Sequence, residues 1–182
     1  MTTNPKDLYT PGDIVAFKTA GIFAVLIRFG QRRKAIGLFR AIASYFTKRY
    51  ADQIALCDYT HIGILASSNP PTCIQAVRHV DEAPLTDIAK GRPYLIISLP
   101  ASVNRNNVVA MAREYVGEEY GVLSILSLAF RALVPLKFSF RDTRTVICSA
   151  LGAICLQAGG YLRVWPDLYS VMPYEIVKVL TS

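Results

Sequence analysis

Histidine is scarce in this chain: His61 and His79 are the only two among 182 residues. Four cysteines (Cys57, Cys73, Cys148 and Cys155) form no Cys-x-x-Cys pair, and neither histidine completes a zinc pattern with them. That argues against a structural metal, and the expected cofactor list is empty. Long hydrophobic runs are missing too. The apolar stretch 20–27 is too short to span a bilayer, and 121–136 is interrupted by Arg131 and Pro135. The opening Met1-Thr2-Thr3-Asn4-Pro5-Lys6-Asp7 lacks the charged-then-apolar pattern of a signal peptide. The expectation is a cytoplasmic protein with reduced thiols, touching a membrane at most from its surface. Internal repeats and low-complexity segments are absent as well.

Charge is sparse but lopsided. Only 18% of residues are charged while 52% are hydrophobic, and the formal net charge is +7. The mean hydropathy is +0.32, more apolar than an ordinary soluble domain. At this length one domain, 1–182, can bury a full core without disulfides. The positive excess is local: Arg28, Arg32, Arg33, Lys34, Arg40, Lys48 and Arg49 occur with no acidic residue between Arg28 and Tyr50. A solvated helix face is the commonest reason for such a run. Phe23, Phe29, Phe39 and Phe46 among these cations fit an amphipathic helix on an anionic membrane or an acidic wall polymer. Nucleic acid ranks last, because no recognisable module accompanies the charge.

Local patterns predict an α+β domain. Pro11-Gly12 feeds a strand at 14–17, and 22–56 turns helical, with Gly30 and Gly37 dividing it into two helices. Residues 59–65 and 72–77 read as a hairpin around Ser68, with His61 opposite Gln75. A further strand is expected at 94–99, a helix capped by Asn106 or Asn107 and running to Tyr115, an apolar helix at 121–133, a helix at 148–158 and a short strand at 175–180. Asp81 and Glu82 read as solvated loop residues.

Cys148 opens the apolar helix Cys148-Ser149-Ala150-Leu151-Gly152. A thiol in a first helical turn sits beside unpaired N–H groups and the positive end of the helix dipole, which favour thiolate. A strand histidine, His61, can act as its base, and Gln75 can orient the imidazole through its amide oxygen. The N–H of Cys148 is a candidate oxyanion donor. Tyr59, Tyr120 and Ser149 are secondary candidates, and Asp58 is an alternative partner for His61. Plainer readings compete: a cysteine on an apolar helix commonly just packs, and a lone strand histidine is commonly structural.

The order of motifs adds to this. Gly12-Asp13-Ile14-Val15, Thr60-His61-Ile62-Gly63-Ile64, Ile74-Gln75-Ala76, Gly117-Glu118-Glu119-Tyr120 and Cys148-Ser149-Ala150-Leu151 resemble the permuted papain-like cysteine hydrolases. These are the circularly permuted branch of the NlpC-type superfamily, with YiiX-like amidases and lecithin:retinol acyltransferase relatives. Glutamine stands at 75 where YiiX-like members usually carry glutamate, and the basic stretch 22–56 looks like an insertion. The resemblance implies a permuted papain-like fold with an antiparallel sheet packed on the Cys148 helix. It also implies hydrolysis or acyl transfer at an amide, ester or thioester carbonyl, on peptidoglycan-type peptides or lipid acyl groups, through Cys148, His61 and Gln75. The rival is a non-catalytic binding protein on the same fold.

Overall fold

A computed structural model describes residues 9–119, 147–162, 165 and 167–182. The expected helix at 121–133 and Tyr120 lie outside them. The domain is α+β: a five-stranded antiparallel sheet with seven α-helices among the described residues. The strands are β1 (Ile14–Phe17), β2 (His61–Ser68), β3 (Pro71–Ala76), β4 (Val80–Pro84) and β5 (Tyr94–Ile97), in the order β4-β3-β2-β1-β5. The helices are α1 (Ile22–Ile36), α2 (Leu38–Ala43), α3 (Ala51–Ile54), α4 (Leu85–Ala89), α5 (Arg105–Glu114), α6 (Cys148–Ala158) and α7 (Pro173–Thr181).

Strand alternation divides the apolar residues between two layers. Ile14, Ala16, Ile62, Ile64, Ile74 and Ala76 join the main core with Ala150, Leu151, Ala153 and Leu156 of α6. Val15, Phe17, Leu65 and Cys73 form a smaller cluster with Leu85 and Ala89 at α4. Each large aliphatic side chain sealed this way contributes about 1.5–3 kcal/mol. Because α6 is apolar on nearly every side, it is buried almost from end to end.

Several expectations need correction. The hairpin turn is tighter and β2 longer than expected: β2 runs to Ser68 and β3 starts at Pro71, with an irregularity between Leu65 and Ser67. Gln75 therefore pairs with Gly63, two residues from the expected position opposite His61. A shift of two preserves strand parity, so His61 and Gln75 keep the same face. Gly63 fits here because a Cβ on it would stand 2.4 Å from the Cys73 sulfur. Asp81 and Glu82 are not loop residues; they lie in β4, with Asp81 opposite Gln75. Residues 175–180 are helical, not extended. Pro173 occupies the start of α7, and the Glu175 carboxylate accepts the Met172 N–H at 2.9 Å, an N-terminal arrangement that outweighs the β-branched composition. The cap of α5 is Asn104, whose side chain accepts from Asn107 N–H at 3.2 Å. Gly30 is buried within α1, and the break comes only at Gly37, whose φ of +85° favours glycine.

Gly12-Asp13 has a structural role. Asp13, 1% exposed, accepts from Arg105 Nε at 2.9 Å and Leu99 N–H at 3.0 Å through Oδ1, and from Ser98 Oγ at 3.2 Å through Oδ2. Arg105 also donates to the Leu99 carbonyl. Together they tie β1 to the segment after β5 and to α5. Gly12 has φ +96°, and a Cβ there would lie 2.6 Å from Arg105 Cβ. Gly12→Ala is expected to lower stability by about 2 kcal/mol or more, from left-handed strain plus the clash. Denaturant titration checks it, and an unchanged midpoint would show that the junction yields freely.

Candidate active site

His61 is the first residue of β2, and Cys148 is the first residue of α6. Strand end and helix start meet because Ile62 and Ile64 pack against the apolar face of α6. Cys148 and His61 act on each other electrostatically, each being the chief influence on the other that favours its charged form. On the other side of the ring, His61 Nε2 lies 2.9 Å from Gln75 Oε1. That contact makes Nε2 the donor to an amide oxygen, and leaves Nδ1 for the sulfur. His61 thus stands between Gln75, which it meets at 2.9 Å, and the start of α6, where Cys148 sits.

Burial pushes the Cys148 thiol up. The charge of His61, its hydrogen bond, and backbone hydrogen bonds from Ile62 and Ser149 outweigh burial and hold the thiol below its ordinary 9.0. Burial alone would lower the His61 imidazole. The Cys148 charge, hydrogen bonds to Cys148 and Gln75, and the charge of Asp81 raise it above 6.5 instead. Both changes favour a thiolate–imidazolium pair. The other cysteines move the opposite way under burial: Cys57 is pushed up to about 11, Cys155 to about 12, and Cys73 upward as well. Cys148 and Cys155 share one helix, so the difference comes from His61 and the helix start.

A cavity of about 690 Å³ adjoins His61 and Gln75. Phe23, Ala24 and Ile27 of α1 form one wall, Asp87 and Ile88 of α4 another, and His61, Gln75 and Asp81 reach it from the sheet. The described lining does not include Cys148, which is 5% exposed; His61 is 8% exposed. Asp81 Oδ1 is buried and finds no hydrogen-bond partner among the described residues. This carboxylate, read from the sequence as solvated, faces the site. Its signal was the alternation Val80-Asp81-Glu82-Ala83, too short and polar to mark as a strand.

The remaining candidates are placed elsewhere. Ser149 Oγ donates to the Val171 carbonyl at 2.6 Å inside the core, a structural role. Tyr59 packs against the main core, its ring under Lys18 Nζ at 5.2 Å. Asp58 does not orient His61; it binds Arg32 at 3.2 Å and Arg28 at 3.4 Å. Sequence reasoning missed Gln31, a wholly buried glutamine of α1. It donates to the carbonyls of Cys57 at 2.7 Å and Tyr59 at 3.1 Å, and accepts the Tyr174 N–H at 2.9 Å. A polar residue at an inward position of an apolar helix was the available clue. Among the described residues, no cluster of three or more His, Cys, Asp or Glu side chains could hold a metal.

Gln75 offers a direct test. Gln75→Glu places a carboxylate on Nε2, which favours imidazolium and should move the alkaline limb of any pH–rate profile upward. Gln75→Ala should lower turnover about 10–100-fold by freeing the ring. A profile unmoved by both substitutions would remove Gln75 from the orienting role. No family model, curated protein or solved structure matches the chain.

Proposed function

We propose that this protein is a cysteine hydrolase or acyltransferase on a permuted papain-like fold, acting at an amide, ester or thioester carbonyl. One observation carries the reading: a strand-start histidine whose Nε2 lies 2.9 Å from the Gln75 side-chain oxygen stands beside a helix-start cysteine, whose thiol its charge holds below the ordinary 9.0. The Cys148 thiolate adds to the carbonyl carbon, forming the S–C bond and moving an electron pair onto oxygen. The His61 imidazolium gives its proton to the departing amine, alcohol or thiol as the carbonyl re-forms. Neutral His61 then takes a proton from water or another acceptor, which attacks the acyl-enzyme and releases thiolate. Gln75 holds the ring in one tautomer throughout. Peptidoglycan-type peptides and lipid acyl groups are the substrate classes that the sequence resemblance favours.

Electrophilic amide, ester and thioester probes test this. Wild type should form a covalent adduct at Cys148, Cys148→Ala none, and His61→Ala far less. Absence of an adduct with every probe would overturn the proposal. A non-catalytic binding protein on the same fold is the second reading. The small exposure of Cys148 and its absence from the described cavity lining favour it. It predicts ligand retention that is unchanged in Cys148→Ala.

A further inference from the structure

The basic segment is not the seven-cation face that its sequence suggests. Arg28 and Arg32 turn inward onto Asp58, and Lys34 pairs with Glu175 at 2.7 Å. Arg40, Lys48 and Arg49 remain exposed and have no carboxylate partner among the described residues. The apolar residues of this segment are what stands out. Phe39 is 86% and Phe46 84% exposed, Leu38 and Ile42 of α2 are exposed as well, and so are Ile22 and Val25 in the first turn of α1. In α2 only Ala41 is buried, so most of this short helix presents side chains to its surroundings.

Exposed aliphatic and aromatic groups flanked by arginine and lysine match an anionic bilayer surface, which offers headgroup charge above an apolar layer. An acidic polymer would satisfy the cations but leave Phe39 and Phe46 in water. A second copy would bury the phenylalanines while bringing like charges together, because 28–50 contains no acid for Arg40, Lys48 or Arg49 to face. We propose that the outer face of α1 and α2, with the turn after α2, docks on an anionic lipid surface. Phe39 and Phe46 enter the interfacial layer, and Arg40, Lys48 and Arg49 meet the headgroups.

Phe23 connects this surface to the cavity: it is 47% exposed and lines the same space as His61 and Gln75. Docking of the α1 face would set Phe23, and with it one wall of the cavity, on the membrane side of the domain. The docking stands independently of the proposed chemistry, and the test uses Cys148→Ala beside wild type.

Vesicles of phosphatidylcholine alone and vesicles with about 30 mol % phosphatidylserine provide the probe. Sedimentation should carry the protein down with anionic vesicles only, equally for wild type and Cys148→Ala. Raising salt from about 0.05 M to about 0.5 M should weaken binding at least tenfold, because screening shortens the reach of the cations. Phe39→Ser with Phe46→Ser should weaken it at least tenfold through lost apolar contact. Arg40→Gln, Lys48→Gln and Arg49→Gln together should weaken it about a hundredfold. The replaced side chains are exposed, so thermal midpoints should hold. Equal binding to neutral and anionic vesicles, or none, would overturn the proposal. So would a dimer in light scattering that disappears in the Phe39/Phe46 variant while vesicle binding is absent.

Discussion

Brief treatment with iodoacetamide near neutral pH should label Cys148 at least about a hundredfold faster than Cys57 or Cys155. Alkylation requires thiolate, and a thiol pushed to about 11 or 12 has roughly one part in ten thousand, or less, ionised at that pH. Cys148 lies below 9.0, so two units or more separate it from Cys57. The sign for the pair follows from its two directions. With ordinary values, imidazole near 6.5 loses its proton before a thiol near 9.0 does, and the ion pair is scarcely populated. Lowering the thiol and raising the imidazole bring the two values toward each other, which increases the share of thiolate that coexists with imidazolium. Labelling should rise as pH rises through the lowered thiol value. Turnover should follow that limb and then fall as pH rises through the raised His61 value. His61→Ala removes the chief opposing influence and lets burial dominate. Labelling should drop to within about tenfold of the other cysteines, and turnover should fall about 10²–10⁴-fold. Equal labelling of all four cysteines in wild type would sink this account.

Arg105→Leu should lower the thermal midpoint by about 6–12 °C. The substitution strands the Asp13 carboxylate in the interior with only Ser98 and Leu99 as donors. Breaking such a pair from one side costs about 3 kcal/mol, and about 2–4 °C per kcal/mol applies to a chain of this size. Asp13→Asn should cost less, because it keeps an acceptor for the Leu99 N–H and buries no charge. In both variants, cysteine labelling per folded molecule should stay at the wild-type rate, because the cluster ties β1 to α5 and touches neither Cys148 nor His61. A shift of less than about 2 °C in Arg105→Leu would show that solvent reaches Asp13 once the guanidinium is gone.

Strong local signals were readable in the chain. Cys148 to Ala158 is a largely apolar run, broken only by Ser149 and Gln157 and closed by Gly159-Gly160, and its helix has those bounds. Ile14–Phe17 and Tyr94–Ile97 are strands where β-branched and aromatic residues cluster. His61 and Gln75 were legible as a same-face pair because parity survives a two-residue slip. Features set by distant partners were harder to read. Pro173 and Glu175 made a helix start of a segment rich in valine and isoleucine. Asp81 belongs to a strand only because β3 pairs with it. In the basic segment, composition identified the cations but not their direction, and Asp58 and Glu175 decided which of them turn inward.

Gln31 has a consequence for the architecture. Its side chain spans α1, the segment leading into β2 and the start of α7, reaching the backbone at Tyr59, two residues before His61. The segment that looked like an optional decoration is thus tied to the backbone two residues before His61. Trimming it away would leave two carbonyls and an amide stranded in hydrocarbon, next to the strand that begins with His61.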